Sequence, residues 1–225
     1  MKGNKIIVGF WFLVAIGIML SSCTKVNNKE TIVLIGRESY IRDIEEIFSK
    51  NPVCKASFDS VKKYMDLNYG SIPPKIGSSG GKYIVEPTIV FKSNVEYMPN
   101  STVMPEVYLG FEHQHNGIVT VEFVESSIPL VTDTAYIMGN NQDFTVYFPE
   151  KREFDQPYNG VTYHVTMERG IIMSGSVTPE GLSDFCFASI VMNTEVEPQG
   201  NLPLYDIGTY FIYKDGNGLA EKRDW

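Results

Sequence analysis

Val107-Tyr108-Leu109-Gly110-Phe111-Glu112-His113-Gln114-His115-Asn116-Gly117-Ile118-Val119-Thr120-Val121-Glu122-Phe123-Val124 carries the clearest structural signal in the chain. Val107, Leu109, Phe111 and His113 alternate with Tyr108, Gly110, Glu112 and Gln114, the period of a strand with one buried face. Asn116-Gly117 accepts positive φ at both positions and Ile118 opens a second β-prone run, so the stretch predicts an antiparallel hairpin with a two-residue turn.

The same pattern continues towards the C-terminus. Residues 134–138 and 144–148 flank Gly139-Asn140-Asn141 as a second hairpin. Val161, Tyr163, Val165 and Met167 alternate with Thr162, His164, Thr166 and Glu168, and Arg169-Gly170 reads as a turn into residues 171–177. Thr178-Pro179-Glu180-Gly181 leads to residues 185–192, and residues 208–213 end at Asp215-Gly216-Asn217-Gly218. About nine or ten strands at this spacing, with almost no helix between them, predict an all-β fold. Sequential turns favour an antiparallel up-and-down barrel, because closure removes exposed strand edges; a β-sandwich is the alternative.

Towards the N-terminus the period changes. Residues 31–34 are β-prone, and Ile41, Ile44, Ile47 and Phe48 then recur at helical spacing within residues 36–49, behind Ser39 as N-cap and with Pro52 as the stop. A second, weaker helical turn covers residues 57–67. Residues 68–81 hold Gly70, Pro73, Pro74, Gly77, Gly80 and Gly81 and read as a linker or open loop.

The first residues have another purpose. Lys2 and Lys5 precede an apolar run over residues 6–20, followed by Ser21, Ser22 and Cys23, which is the layout of an export signal with a small-residue cleavage site. The run is shorter than the roughly 20 residues that span a bilayer as a helix. Leu20-Ser21-Ser22-Cys23 resembles the bacterial lipobox, which implies cleavage before Cys23, a diacylglyceryl thioether on its sulfur and an acyl group of the palmitate kind on its amine. More than one acyl chain makes anchoring stable. The absence of aspartate after Cys23 points, by the sorting rule of enteric bacteria, to the outer membrane. The expected organisation is signal peptide 1–22, polar tether 23–30, an N-terminal segment 31–81 and an antiparallel β domain 82–225.

Glu168-Arg169-Gly170-Ile171-Ile172-Met173-Ser174-Gly175-Ser176-Val177 with Gly181-Leu182-Ser183-Asp184-Phe185, and Gly208-Thr209-Tyr210-Phe211-Ile212-Tyr213-Lys214-Asp215-Gly216, resemble segments of uncharacterised Bacteroidetes lipoproteins, some with calycin-like β-barrel domains. The resemblance implies a barrel and an envelope address, and its motifs are turns and strands rather than catalytic residues. Asp59-Ser60-Val61 and Asp133-Thr134-Ala135 resemble the O-glycosylation motif of that phylum, which implies modification at Ser60 and Thr134.

Composition narrows the partners. Without Lys2 and Lys5, 17 basic residues face 27 acidic ones, a charge of −10 that disfavours nucleic acid and anionic membrane surfaces. Cys54 and Cys186 form either one disulfide or two buried free thiols.

Individual motifs carry little chemistry. His113 and His115 share one face of a strand and fit two ligands of a zinc or copper ion, with His164 or Glu122 as a third; two half-buried histidines at a hairpin end are the plainer reading, and no cofactor is expected. Gly77-Ser78-Ser79-Gly80-Gly81 spells a nucleophile elbow but lacks the strand before and helix after that the elbow needs. Asp215-Gly216-Asn217-Gly218 begins like a calcium loop but puts Leu219 where an oxygen ligand belongs. Tyr136, Tyr147, Tyr163, Tyr210 and Tyr213 are candidates for stacking on a ligand such as a sugar ring, against the ordinary role of aromatics in strand cores.

These readings converge on a cell-envelope lipoprotein that binds rather than catalyses, its partner a glycan, an apolar small molecule in a barrel mouth, or another envelope protein. An envelope hydrolase with a dispersed site and a structural subunit of a surface assembly are the rivals. Cys23→Ser is expected to move the protein from the membrane fraction to the soluble fraction; retention at the membrane would overturn the lipoprotein assignment.

Overall fold

A computed structural model describes residues 38–76, 81–96, 98–125, 131–200 and 202–223. The signal sequence, Cys23, the tether, the strand expected at 31–34 and Ser78-Ser79-Gly80 lie outside the described residues.

Helix α1 spans Glu38–Ser49, and helix α2 spans Pro52–Tyr64. Pro52 ends the first helix as expected, yet it also begins the second, five residues before the expected start at residue 57. Asn51 explains this: its side chain accepts a hydrogen bond from the Val53 amide at 2.9 Å, and a proline just inside a helix start loses no backbone bond. Cys54, Phe58, Val61 and Met65 then recur on one face and are buried.

The remaining elements are strands: β1 (Ser71–Ile72), β2 (Lys82–Val85), β3 (Thr88–Ser93), β4 (Val103–Met104), β5 (Val107–His115), β6 (Ile118–Glu125), β7 (Val131–Asn140), β8 (Asp143–Tyr158), β9 (Val161–Val177), β10 (Gly181–Glu197), β11 (Tyr210–Asp215) and β12 (Leu219–Lys222). Strands β5 to β10 pair in sequence, each antiparallel to the next. The ring closes through β12, which pairs with both β10 and β2, and β2 pairs back to β5. The chain is thus an all-β antiparallel up-and-down barrel with N-terminal helices. Strands β11, β3 and β4 continue the wall from β10.

The barrel interior is filled with side chains. Phe123 meets Phe148 edge-on at 6.5 Å and Phe187 at 5.6 Å, Phe111 meets Phe144 at 6.3 Å, and Tyr213 stacks on Phe187 at 4.7 Å. At one end the chain itself crosses the opening. Ile76 is buried in this core, its amide donates to the Gln114 side chain, Gln114 donates to the Pro74 carbonyl, and the Tyr83 hydroxyl donates to the Ile76 carbonyl. Part of the stretch read as an open loop is therefore tied down, and its first residues form β1 beside β7.

The two helices lie on the outer wall of β7 to β11. Phe48, Phe58 and Val61 pack with Tyr147, Ile172, Ala188, Ile190 and Ile212. Strands β8 to β10 are consequently dry on both faces beneath the helices, which is why they read as continuous apolar runs and not as one wet face and one dry one.

Arg169-Gly170 is not a turn but the middle of the 17-residue strand β9. The hairpin turn lies at Asn159-Gly160, with φ of 50° and 78°, matching the 48° and 79° of Asn116-Gly117. Gly170 is small for a packing reason: a Cβ there would sit 2.6 Å from the Phe48 ring. Gly170→Ala is expected to destabilise the fold by about 1–3 kcal/mol through overpacking, read as a lower urea midpoint at unchanged slope. The loss should shrink in a Phe48→Ala background; a neutral Gly170→Ala would show that Phe48 does not seat on β9.

Candidate functional site: a charged layer in one barrel mouth

At the end of the barrel opposite Ile76, the inward-facing period continues past the last apolar residues. On β8, Phe144, Val146 and Phe148 are followed at the same parity by Glu150 and Arg152. Phe123 is followed by Glu125 on β6, Ile171 by Arg169 on β9, and Ala135 by Asp133 on β7. Two-residue spacing keeps all of them on the inner face. Register then sets Glu150 directly opposite Arg169.

The groups close on one another. Arg169 donates through Nε to Glu150, through Nη2 to Glu125 at 3.0 Å, and through Nη1 to the Ser189 hydroxyl at 3.5 Å. Arg152 reaches the other oxygen of Glu150 at 2.5 Å and Glu125 at 3.5 Å. Glu150 is only 2% exposed and Arg169 8%, so two carboxylates and two guanidiniums neutralise each other almost out of water. Removing one partner from such a set strands a buried charge, which is far more costly than the set is stabilising.

The electrostatics separate two carboxyls. Burial alone would raise Glu150, but the charges and hydrogen bonds of Arg169 and Arg152 outweigh it and hold the carboxyl below its usual range. Asp133 is pushed up to about 6, first by burial and then by the charge of Glu150, with Arg152 opposing. Tyr213, stacked inside the barrel, is raised by burial and by Glu125. All three nitrogens of the Arg169 guanidinium make hydrogen bonds within the layer. Asp133 is the group in the layer able to exchange a proton near neutral pH.

The residues singled out from the sequence are dispersed. His113 and His115 do not share a regular strand face: β5 is irregular between Glu112 and His115, His113 has a φ of 51°, and the His115 ring donates to the His113 carbonyl at 2.7 Å. His164 bonds Asp155 at 3.0 Å on β9. Register links His115 through Ile118, Tyr136 and Tyr147 to Ile172, which lies eight residues, about 26 Å, along β9 from His164. Among the described residues no three His, Cys, Asp or Glu side chains are grouped to hold a metal ion.

Nor do the five tyrosines build one platform. Tyr147 and Tyr210 are buried under the helices, Tyr213 is inside the barrel, Tyr163 packs with Val165 and Leu202, and Tyr136 lies half-buried on the outer wall beside Tyr147. Cys54 and Cys186 are free thiols. Cys54 sits against Val191 and Met192, five residues along β10 from Cys186, a separation of about 16 Å that exceeds the reach of a disulfide. Burial raises both thiols, Cys186 to about 11. Ser60 is half-buried in α2 with its hydroxyl donating to the Ala56 carbonyl, whereas Thr134 is exposed on β7.

Sequence reasoning missed the charged layer although its signal was present, since the alternation needed only to be followed two to four residues past the last phenylalanine. Reading Arg169-Gly170 as a turn removed the central residue. No family model, no curated protein and no solved structure matches the chain.

The pKa of Asp133 gives a signed test. The folded chain holds this proton more tightly than the unfolded chain, where a carboxyl titrates near ~3.9, so stabilisation is fullest below that value and is lost as pH rises towards about 6. Asp133→Asn should flatten the decline of the thermal midpoint across that interval. A decline as steep as in the parent would place the titrating group elsewhere.

Proposed function

We propose that the protein is a lipid-anchored lipoprotein of the cell envelope, in the outer membrane, that acts as a non-enzymatic binding or accessory module through its outer surface. The observation that supports this reading is a barrel whose interior is filled by phenylalanine rings and whose inner charges are spent on each other. An apolar small molecule would have to displace that core, so a glycan or an envelope protein is the favoured partner.

The surface feature that fits such a role is an arm. Beyond the charged layer, β8, β9 and β10 run on together as a three-stranded projection of about eight residues, some 26 Å long. Its tip carries Tyr158 and Val161, 46% and 40% exposed, on either side of the Asn159-Gly160 turn. An amphipathic ring at a projecting tip is suited to stacking on a sugar or seating in a protein groove.

An envelope hydrolase is the second reading, because Asp133 and Glu150 are pushed in opposite directions within one cluster, the arrangement that separates an acid from a base. It ranks second because both oxygens of Glu150 are already held by arginines.

A photoreactive phenylalanine derivative placed at residue 158 in living cells is expected to give one discrete adduct, and the same group at Val103, exposed on β4, none. Adducts of equal yield and pattern at both positions would overturn the assignment of the arm as the contact surface.

A further inference from the structure

Against an acidic background, one exposed face is basic and aromatic. Lys63 at the end of α2 lies 5.6 Å from the centre of the Tyr64 ring, and Lys92 of β3 lies over the same ring at 5.6 Å. Lys214 of β11 lies 4.5 Å over Phe91, which meets Tyr64 edge-on at 6.4 Å. Three ammonium groups from three elements therefore converge on two touching rings. Among the described residues none of the three pairs with a carboxylate, while the neighbouring acids Asp59 and Glu45 are engaged by Lys55 and Lys62. Lys214 and Asp184 act in opposite directions on the Cys186 thiol. Tyr64 is 37% exposed, so a large ring stands in water between the cations.

The path of the chain says where this face points. Phe48 stacks on Phe58 at 4.5 Å, and Glu45 pairs with Lys62 at 3.3 Å, so three residues back along α1 correspond to four forward along α2. The helices are antiparallel, and the N-terminal end of α1 lies beside the C-terminal end of α2, where Lys63 and Tyr64 are. Glu38, the first described residue, therefore lies at the edge of the basic face. Fourteen residues lie between Cys23 and Glu38, a span of at most ~50 Å.

We propose that the face formed by Lys63, Tyr64, Phe91, Lys92 and Lys214 docks on an anionic lipid surface, that of the membrane holding the Cys23 anchor. This rests on the lipoprotein reading given above. Lysines next to an anionic bilayer each strengthen partition, and aromatic rings settle at headgroup depth. The anchor keeps the face at high local concentration over the lipid, so weak contacts suffice. Docking would hold the barrel in one orientation on the membrane.

The test uses the full lipidated protein in vesicles of phosphatidylcholine, with or without about one third phosphatidylglycerol, pulsed with an amine-acylating reagent and digested for mass spectrometry. Each lysine at an anionic surface is worth about fivefold in partition. Lys63, Lys92 and Lys214 should accordingly react roughly threefold or more slowly on the anionic vesicles, with the protection lost in molar salt. Lys151, on the arm, should react alike on both. Equal rates at the three lysines in an acylated, vesicle-bound chain would overturn the docking face alone. So would protection that appears on neutral vesicles only when a soluble anionic polysaccharide is added, which would make a glycan the partner. The Cys23 peptide in the same digest reports its own acyl groups, and their absence, with failure to float on either vesicle, would overturn the anchor and the proposal together.

Discussion

The buried carboxylate of Asp215 is the point at which this barrel is made to close. Its Oδ2 accepts from the Glu86 amide at 3.0 Å and its Oδ1 from the amides of Asn217 and Leu219 at 2.7 and 3.3 Å, while the Gly216 amide donates to the Pro87 carbonyl at 2.8 Å. Two runs of chain, 82–93 and 210–222, are broken side by side at this level. Below the break their halves β2 and β12 pair with each other and shut the ring; above it β3 and β11 diverge into the wall that carries Phe91, Lys92 and Lys214. Asp215-Gly216-Asn217-Gly218 thus resembles a calcium loop because it needs the same thing, backbone amides turned onto an aspartate, with Leu219 contributing an amide and not a ligand.

The ring closes, but three of its strands outrun it. Strands β8, β9 and β10 are 16, 17 and 17 residues long and outrun their neighbours, since β7 pairs with β8 only as far as Tyr147 and β11 with β10 only as far as Ile190. The arm therefore has open edges, which invite pairing with other chains. Pro149 and Pro157 stand eight residues apart on β8, hence at the same parity, where they remove edge donors without disturbing the bonds to β9. Lys151, Glu153 and Asp155 fill the positions between them. Prolines and charges placed in this way hinder the addition of strands from neighbouring chains.

Much of this was legible in the sequence, and the failures have local causes. Alternation at 107–115 with Asn116-Gly117 gave the hairpin, and the meander of short turns gave the barrel. The same rule misread β9, because Gly170 carries a signal that belongs to Phe48, a residue more than a hundred positions away. Pro52 was read as an ending when Asn51 makes it a beginning. The charged layer was lost since charges are ordinarily assigned to the wet face. Here the sign of the face is set by what stands opposite, Arg169 against Glu150, and pairing across strands is absent from one strand read alone. Cross-strand register also separates His113 and His115 from His164, which no spacing within a strand reveals.

Net charge misleads for a related reason. A surplus of acids argues against anionic surfaces when the molecule is seen from beyond a screening length of ~8–10 Å, where the field averages over all groups. At contact the average is irrelevant and the local pairing decides. Inside the barrel, Arg152 and Arg169 are paired with Glu125 and Glu150, and these four charges cancel. Under α2, Lys62 is likewise compensated by Glu45 and Asp59. At the next position Lys63 lies over the Tyr64 ring, with no carboxylate paired to it among the described residues. A quadrupole holds a cation in place without neutralising it. Tyr64 and Phe91 therefore concentrate positive charge at the surface where carboxylates would have cancelled it, and an acidic protein acquires a face of the opposite sign at the end of α2 that lies beside the start of α1.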